Sequence, residues 1–196
     1  MNVRENGIAA TPAMKRRDDN GRVRGLVERA QRGDRTALEE LYLLHFDRIY
    51  SYLHLSVGTR HDAEDLTTQT FVKMLEAIGR FQWRSVPFSA WLFRIAHNLA
   101  MDHFRANRRW QPEEEIPETV QGEETSAEEQ ALASLGETSM LALIDRLSPE
   151  QRQVLTLKFV FRFSNAETAS ILGKTEGAVK SLQHRALASL QKHVSR

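Results

Sequence analysis

The sequence predicts an all-α chain of two small helical modules joined by an acidic connector, on three observations. Apolar residues recur at three- and four-residue spacing, and no stretch combines strict apolar/polar alternation with β-branched enrichment. Helix start and stop residues punctuate the chain: Asp34, Asp62, Ser148, Ser164 and Thr175 as caps, and Gly33, Gly58, Gly79 and Gly173 as stops. Charge is partitioned. Residues 1–109 hold 18 Lys/Arg against 13 Asp/Glu, residues 110–137 hold nine Glu and no basic residue, and residues 138–196 hold nine Lys/Arg against four acids. Two basic blocks about an acidic connector suggest two modules facing one polyanion.

The elements follow in order. Residues 1–21, with Gly7, Pro12 and mixed polar composition, are expected to form a disordered tail. A first helix is predicted over Val23–Arg32. Asp34 then caps a second, whose apolar side is Leu38, Leu41, Tyr42, His45, Ile49, Tyr52 and Leu53, ending near Gly58. Asp62 is the predicted cap of a third helix, with Asp65 at its third position and Leu66, Phe71, Met74, Leu75 and Ile78 as its apolar side. After a loop over Arg80–Pro87, a fourth helix runs from about Phe88 to Arg108 on a stripe of Phe88, Trp91, Leu92, Ile95 and Leu99. Residues 22–109 thus make a four-helix module. Residues 110–137 form the linker, with Pro112, Pro117, Gly122 and Gly136 and a short helix around Ala127–Leu135. Residues 138–196 form the second module. Its helical pattern begins near Met140; a helix capped by Ser148, with Pro149 at its first position, runs to about Phe161. A capping box Ser164–Glu167 opens a short helix to Leu172, and the last helix runs from Glu176 to about Val194.

Zero cysteines exclude disulfide scaffolds, Cys-ligated metals and thiol catalysis. No run reaches the roughly 20 apolar residues of a membrane span, and no apolar h-region follows the basic N-terminus. A cytoplasmic protein without membrane insertion is expected.

Asn165–Arg185 has helix-turn-helix spacing. Ala169 is a small residue where a second helix would cross, Gly173 makes the turn, and Val179 and Leu182 fix the crossing. Lys180, Ser181, His184 and Arg185 are then left on the open face of the second helix, able to offer charge and hydrogen bonds to a major groove. On the fourth helix Arg94, Asn98, Met101, Arg105 and Arg108 recur opposite the core stripe. Phe93, His97 and Phe104 flank them, and Phe81, Trp83, Arg84 and Phe88 precede them. Cations that track phosphates beside aromatic faces that stack unpaired bases suit single-stranded nucleic acid. Asp62, Glu64 and Asp65 form an acidic cluster. The His and Asp pattern of a helical metal phosphohydrolase is missing around it, so helix capping and a solvated face are the better reading of composition, with no metal, cofactor or catalytic residue expected.

These residues together resemble bacterial extracytoplasmic-function (ECF) sigma factors, two-domain members of the sigma-70 family. Arg60–Leu66 followed by Gln69-Thr70-Phe71 is similar to the core-polymerase-binding region 2.2. Phe88–Asn98 is similar to the −10-reading helix, and Ser164–Glu167 with Glu176–Ser181 and His184–Leu187 is similar to the −35-reading region 4.2. The resemblance covers about Val23 to the C-terminus. It implies docking of Asp62, Glu64, Asp65, Gln69 and Phe71 on the β′ coiled coil of core RNA polymerase, with the β flap as a further contact. It implies −10 recognition by Phe81, Trp83, Arg84, Phe88, Arg94, His97, Asn98 and Arg105. Thr175, Glu176, Lys180, Ser181, His184 and Arg185 would recognise the −35 element. Promoter DNA and an anti-sigma factor are the other implied partners, with nucleoid association when bound to polymerase. The linker's 28 residues reach about 95 Å extended, against about 50 Å between two such promoter elements. The rival from the residues alone is a conventional helix-turn-helix regulator acting on duplex operator DNA.

Overall fold

The computed structural model describes residues 12–83, 86–107 and 147–194, and every regular element among them is helical. The N-terminal module is α1 (Pro12–Gln31), α2 (Arg35–Val57), α3 (Arg60–Ala77), a 3-10 turn over Ile78–Arg80, and α4 (Phe88–Ala106). The C-terminal module is α5 (Pro149–Leu155), a π-helical turn over Thr156–Val160, α6 (Asn165–Leu172) and α7 (Glu176–Val194). The linker, its expected short helix and the helical pattern from Met140 lie outside the described residues.

Local chemistry sets the boundaries. Asp34 accepts from the amides of Thr36 and Ala37 to open α2, and Gly58 closes it at φ +79°, where a side chain would be strained. The α6 capping box has both halves: the Glu167 amide donates to Ser164 Oγ, and the Ser164 amide donates to Glu167 Oε2 at 2.7 Å. Gly173 at φ +66° then turns the chain, and the Ala178 amide donates to Thr175 Oγ1 at the start of α7.

Two expected starts move. The first helix begins at Pro12, not Val23, so residues 12–21 of the expected tail are helical. Proline suits a first helical position because its missing N–H would be unpaired there anyway. The helical run was masked in sequence by Gly21 and Gly25 and by the lack of apolar periodicity. In α3 the cap is Thr59, not Asp62. Thr59 Oγ1 accepts from the Asp62 amide at 3.2 Å and donates to Asp62 Oδ2 at 2.6 Å, leaving Asp62 as the acid of the first turn.

The two modules share one apolar core. Leu157, Phe161, Phe163 and Ile171 from the C-terminal module pack with Tyr52, Phe93 and Met101 from the N-terminal one. Phe93 meets Phe161 and Phe163 edge-on, with centroids 5.1 and 4.8 Å apart. Arg48 fastens this seam. Its guanidinium donates to the Phe161 carbonyl at 2.9 Å and lies 5.5 Å from the Phe93 and Phe163 ring centres, a cation–π arrangement. Smaller clusters close the C-terminal module itself, among them Val154, Ala169, Val179 and Leu182 at the α6–α7 crossing.

Candidate nucleic-acid interface

Three surfaces carry the residues singled out in the sequence. The first is the outer end of α3. Asp65 and Gln69 are exposed, and Glu64, also exposed, pairs with Arg60 at 2.7 Å. Asp62 is half-buried; its carboxylate faces His103 of α4 at 3.6 Å, so it ties two helices together as well as contributing charge. Phe71 lies inward, as its place on the apolar side of the third helix predicts, and does not itself form the docking surface. It is buried at 5% exposure under the Tyr42 ring, 4.7 Å away and edge-on, so it supports the surface from beneath. The apolar side chains that reach solvent around it are Tyr42, Val72 and Leu75, two of which the periodicity had assigned to the core. Phe71, Val72 and Leu75 are neighbours on one turn of a helix; which of them faces inward depends on where α2 crosses, which spacing alone does not tell.

The second surface is α4 with the loop before it. Arg94, Asn98 and Arg105 are exposed, and Arg105 pairs with Asp102 at 2.9 Å. Trp83 is half-buried beneath Arg24, whose guanidinium lies 5.9 Å from the ring centre. Phe81 and Phe88 are buried, packing on each other at 5.4 Å and both on Trp91, so in this arrangement they are core side chains and stack on no base. Gln31 pins that loop by donating to the carbonyls of Ile78 and Phe81. Arg84 and Arg108 lie outside the described residues.

The flank of α4 expected to be open is covered. Phe93, His97 and Met101 are buried, and the lid over them is the C-terminal module. Gln153 Nε2 of α5 donates to Met101 Sδ at 3.6 Å. His97 Nδ1 shares a hydrogen bond with the Tyr52 hydroxyl at 3.1 Å, and burial, with Lys174, Arg105 and Arg94 nearby, lowers its pKa to about 4. At neutral pH His97 is therefore an uncharged core group. Sequence periodicity read α4 as apolar on one stripe, but a second cover comes from residues more than 50 positions away.

The third surface is the helix-turn-helix, and it matches expectation closely. Ala169, Val179 and Leu182 are buried together at the crossing. Thr175, Glu176, Lys180 and His184 are exposed, while Ser181 and Arg185 are half-buried on the same outward side of α7. Lys174, just before α7, turns back instead, pairing with Glu150 of α5 at 3.3 Å.

Among the described residues no three His, Cys, Asp or Glu side chains gather as metal ligands, and no helix is long and apolar enough to cross a membrane.

Residues 41–110 match the family described as Sigma-70 region 2, and residues 138–190 match Sigma-70, region 4. The ECF RNA polymerase sigma factor BldN of Streptomyces coelicolor is 41% identical over 174 residues, covering 88% of this chain and 66% of that protein, so the chain spans about two thirds of that relative's length. The ECF RNA polymerase sigma factor SigD of Mycobacterium tuberculosis is 34% identical over 179 residues, covering 88% of this chain and 84% of that protein. Two solved structures share the fold. CnrH in complex with the cytosolic domain of CnrY has a TM-score of 0.64 at 24% identity, over 88% of this chain and 96% of that one. The sigma factor RpoE in complex with the anti-sigma factor NepR from Bartonella quintana has a TM-score of 0.60 at 23% identity, over 80% and 96%. The two matched regions occupy the two helical modules in the order the motifs stand, and these likenesses favour a sigma factor over an operator-binding regulator. This chain belongs to the ECF family of RNA polymerase sigma factors.

Proposed function

We propose that the chain directs core RNA polymerase to promoters by dividing recognition between its modules, with no bond-making step of its own. The observation that carries this reading is the helix-turn-helix, whose apolar contacts are spent on its own crossing while Lys180 and His184 stay in solvent. Such a face can enter a major groove at a −35 element without any refolding. The exposed Arg94, Asn98 and Arg105 edge of α4 serves the −10 element, where two cations and an amide can hold a separated strand. Asp65, Gln69 and Glu64, with Tyr42, Val72 and Leu75 beside them, serve as the polymerase-docking surface, an acidic field around an apolar centre.

The closed seam bears on this reading. With the C-terminal module against α4, Phe93, His97 and Met101 are sealed, and we read this arrangement as the state before engagement with polymerase. An anti-sigma partner, of the kind that NepR is to the Bartonella protein, would act by holding the chain away from polymerase. Work in the cytoplasm, at the nucleoid, follows from the same reading.

Run-off transcription with purified core polymerase, on promoters recovered by chromatin pull-down of this protein, is the test. Transcripts that start at those promoters only when the chain is added are expected. Tight binding to duplex DNA by the chain alone, with no polymerase-dependent transcript, would return it to the operator-binding reading.

A further inference from the structure

The seam between the modules holds a cleft that neither module forms alone. It encloses about 300 Å3, within the range of small-molecule sites, between α1, α2, the start of α4 and the Phe161–Phe163 turn. Arg22, Arg48 and Arg162 line it with positive charge, although Arg22 also pairs with Glu40 at 3.4 Å and Arg48 donates to the Phe161 carbonyl. Glu167 also lines it, but one of its oxygens already accepts from the Ser164 amide in the capping box. Phe163 and Leu44 supply apolar wall.

His45 sets this cleft apart from an ordinary basic dimple. It lines the cleft at only 6% exposure, and neither ring nitrogen has a hydrogen-bond partner among the described residues. Buried polar atoms are nearly always paired, so an imidazole orphaned at both nitrogens among the described residues can take a partner from the cleft. Burial, with Arg48 alongside, holds its pKa at about 4, so the ring is neutral at physiological pH. A neutral imidazole donates at one nitrogen and accepts at the other, which suits a hydroxyl or amide; guanidinium groups suit a carboxylate or phosphate.

We propose that this cleft binds a small organic oxyanion, a carboxylate or phosphate monoester on a compact aromatic or branched body, and that the bound molecule ties the two modules together. The consequence for transcription rests on the sigma-factor reading; the binding itself does not. Because Arg22 and Arg48 belong to one module and Arg162 to the other, an anion held among them adds its binding free energy to the closed arrangement.

The test uses the full chain without polymerase. Calorimetric titration with phenyl phosphate and with phenylacetate separates the two acid groups, and inorganic phosphate serves as the probe that lacks an apolar body. One aromatic probe is expected to bind saturably at one site per chain, and inorganic phosphate about tenfold or more weakly. Arg22→Gln and Arg162→Asn are each expected to weaken that binding by about tenfold, the loss of one charge-assisted contact. Asparagine suits position 162 because its backbone sits at φ +60°, and both arginines are exposed, so the apolar seam stays intact. His45→Phe keeps a ring against Phe88 while removing the nitrogens, and is expected to weaken binding as well. Since the chain has no cysteine, a pair introduced at Glu76 and Ala166 can carry a donor and acceptor dye. Saturation with the probe is expected to raise energy transfer. Absence of saturable binding by either aromatic probe, or binding indifferent to all three substitutions, overturns the site; saturation without any change in transfer overturns the tie between modules. Run-off transcription without probe reports on the sigma-factor reading separately, so either conclusion can fail alone.

Discussion

Helices α4 and α7 are each 19 residues long and each carries exposed basic side chains, yet their surroundings differ. In α7 the apolar side is used up inside its own module, against Val154, Ala169, Leu147 and Leu155, and Glu176, Lys180 and His184 on the other side remain exposed. In α4 nine residues are buried, spread over more than one face, from Phe88, Ala90 and Leu92 through Phe93 and His97 to Met101. A helix apolar on so much of its circumference needs two covers. The other N-terminal helices provide one; the C-terminal module provides the second. A helix with a single apolar stripe thus keeps its polar face open as folded, whereas the face open on one with a second stripe depends on how the rest of the chain is arranged.

The largest expected effect comes from breaking the second cover. Phe93→Ala removes a fully buried ring and should cost about 3–5 kcal/mol in chemical denaturation. Combined with Phe163→Ala, it should show a coupling above about 0.5 kcal/mol. Additive losses would mean that the modules do not meet in solution and that α4 is as open as α7.

Acid should loosen the same region. His97 and His45 have folded pKa values near 4, below the ordinary 6.5, so the unfolded chain binds more protons between those values. Stability therefore rises with pH across this window and is lost as pH falls from 6.5 towards 4. By pH 5 the loss should be about 2 kcal/mol for each histidine. Urea midpoints for the parent and for His97→Gln should diverge from pH 6.5 downward, with the variant less sensitive to acid. Parallel pH curves would place His97 in solvent.

A smaller effect belongs to the C-terminal module. Ser164→Ala removes one half of the α6 capping box and should cost about 1 kcal/mol, read as a shift in melting temperature.

Smallest in stability, and most telling for function, are Asn98→Ala and Lys180→Ala. Both side chains are exposed, so each change should stay within about 0.5 kcal/mol. Lys180→Ala should weaken binding to duplex −35 DNA and reduce the salt slope by about one. Asn98→Ala should lower open-complex formation on a duplex promoter, measured by permanganate reactivity of unpaired thymines. Wild-type reactivity would remove Asn98 from promoter melting. If pre-melting the −10 region restores the variant, Asn98 assists strand separation; a persistent defect means that it reads a base.

The helix-turn-helix was legible almost to the residue because each of its signals is local. Ser164, Glu167, Gly173 and Thr175 act within four residues of themselves, and Ala169, Val179 and Leu182 pack over a short separation. The surfaces of the N-terminal module were legible in kind but not in detail. Spacing placed Phe71 and Leu75 on one apolar side without saying which of them α2 would cover. The burial of His97 and Met101 was not readable from α4 at all, since their lid comes from residues 153–171 across a long connector. The start of α1 was hidden because its first half lacks an apolar stripe.

The π-helical turn over Thr156–Val160 makes chain length itself a measuring device. The Phe161 amide donates to the carbonyl of Thr156, five residues back, at 3.1 Å, one residue wider than an α-helical step. That extra residue sets the angle at which Phe161 and Phe163 leave α5 toward Phe93 and Arg48. Deleting a single residue here would let the backbone close into ordinary helix and swing both rings by about 100°. The chain would keep its helix-turn-helix and lose only the alignment that lets one half recognise the other.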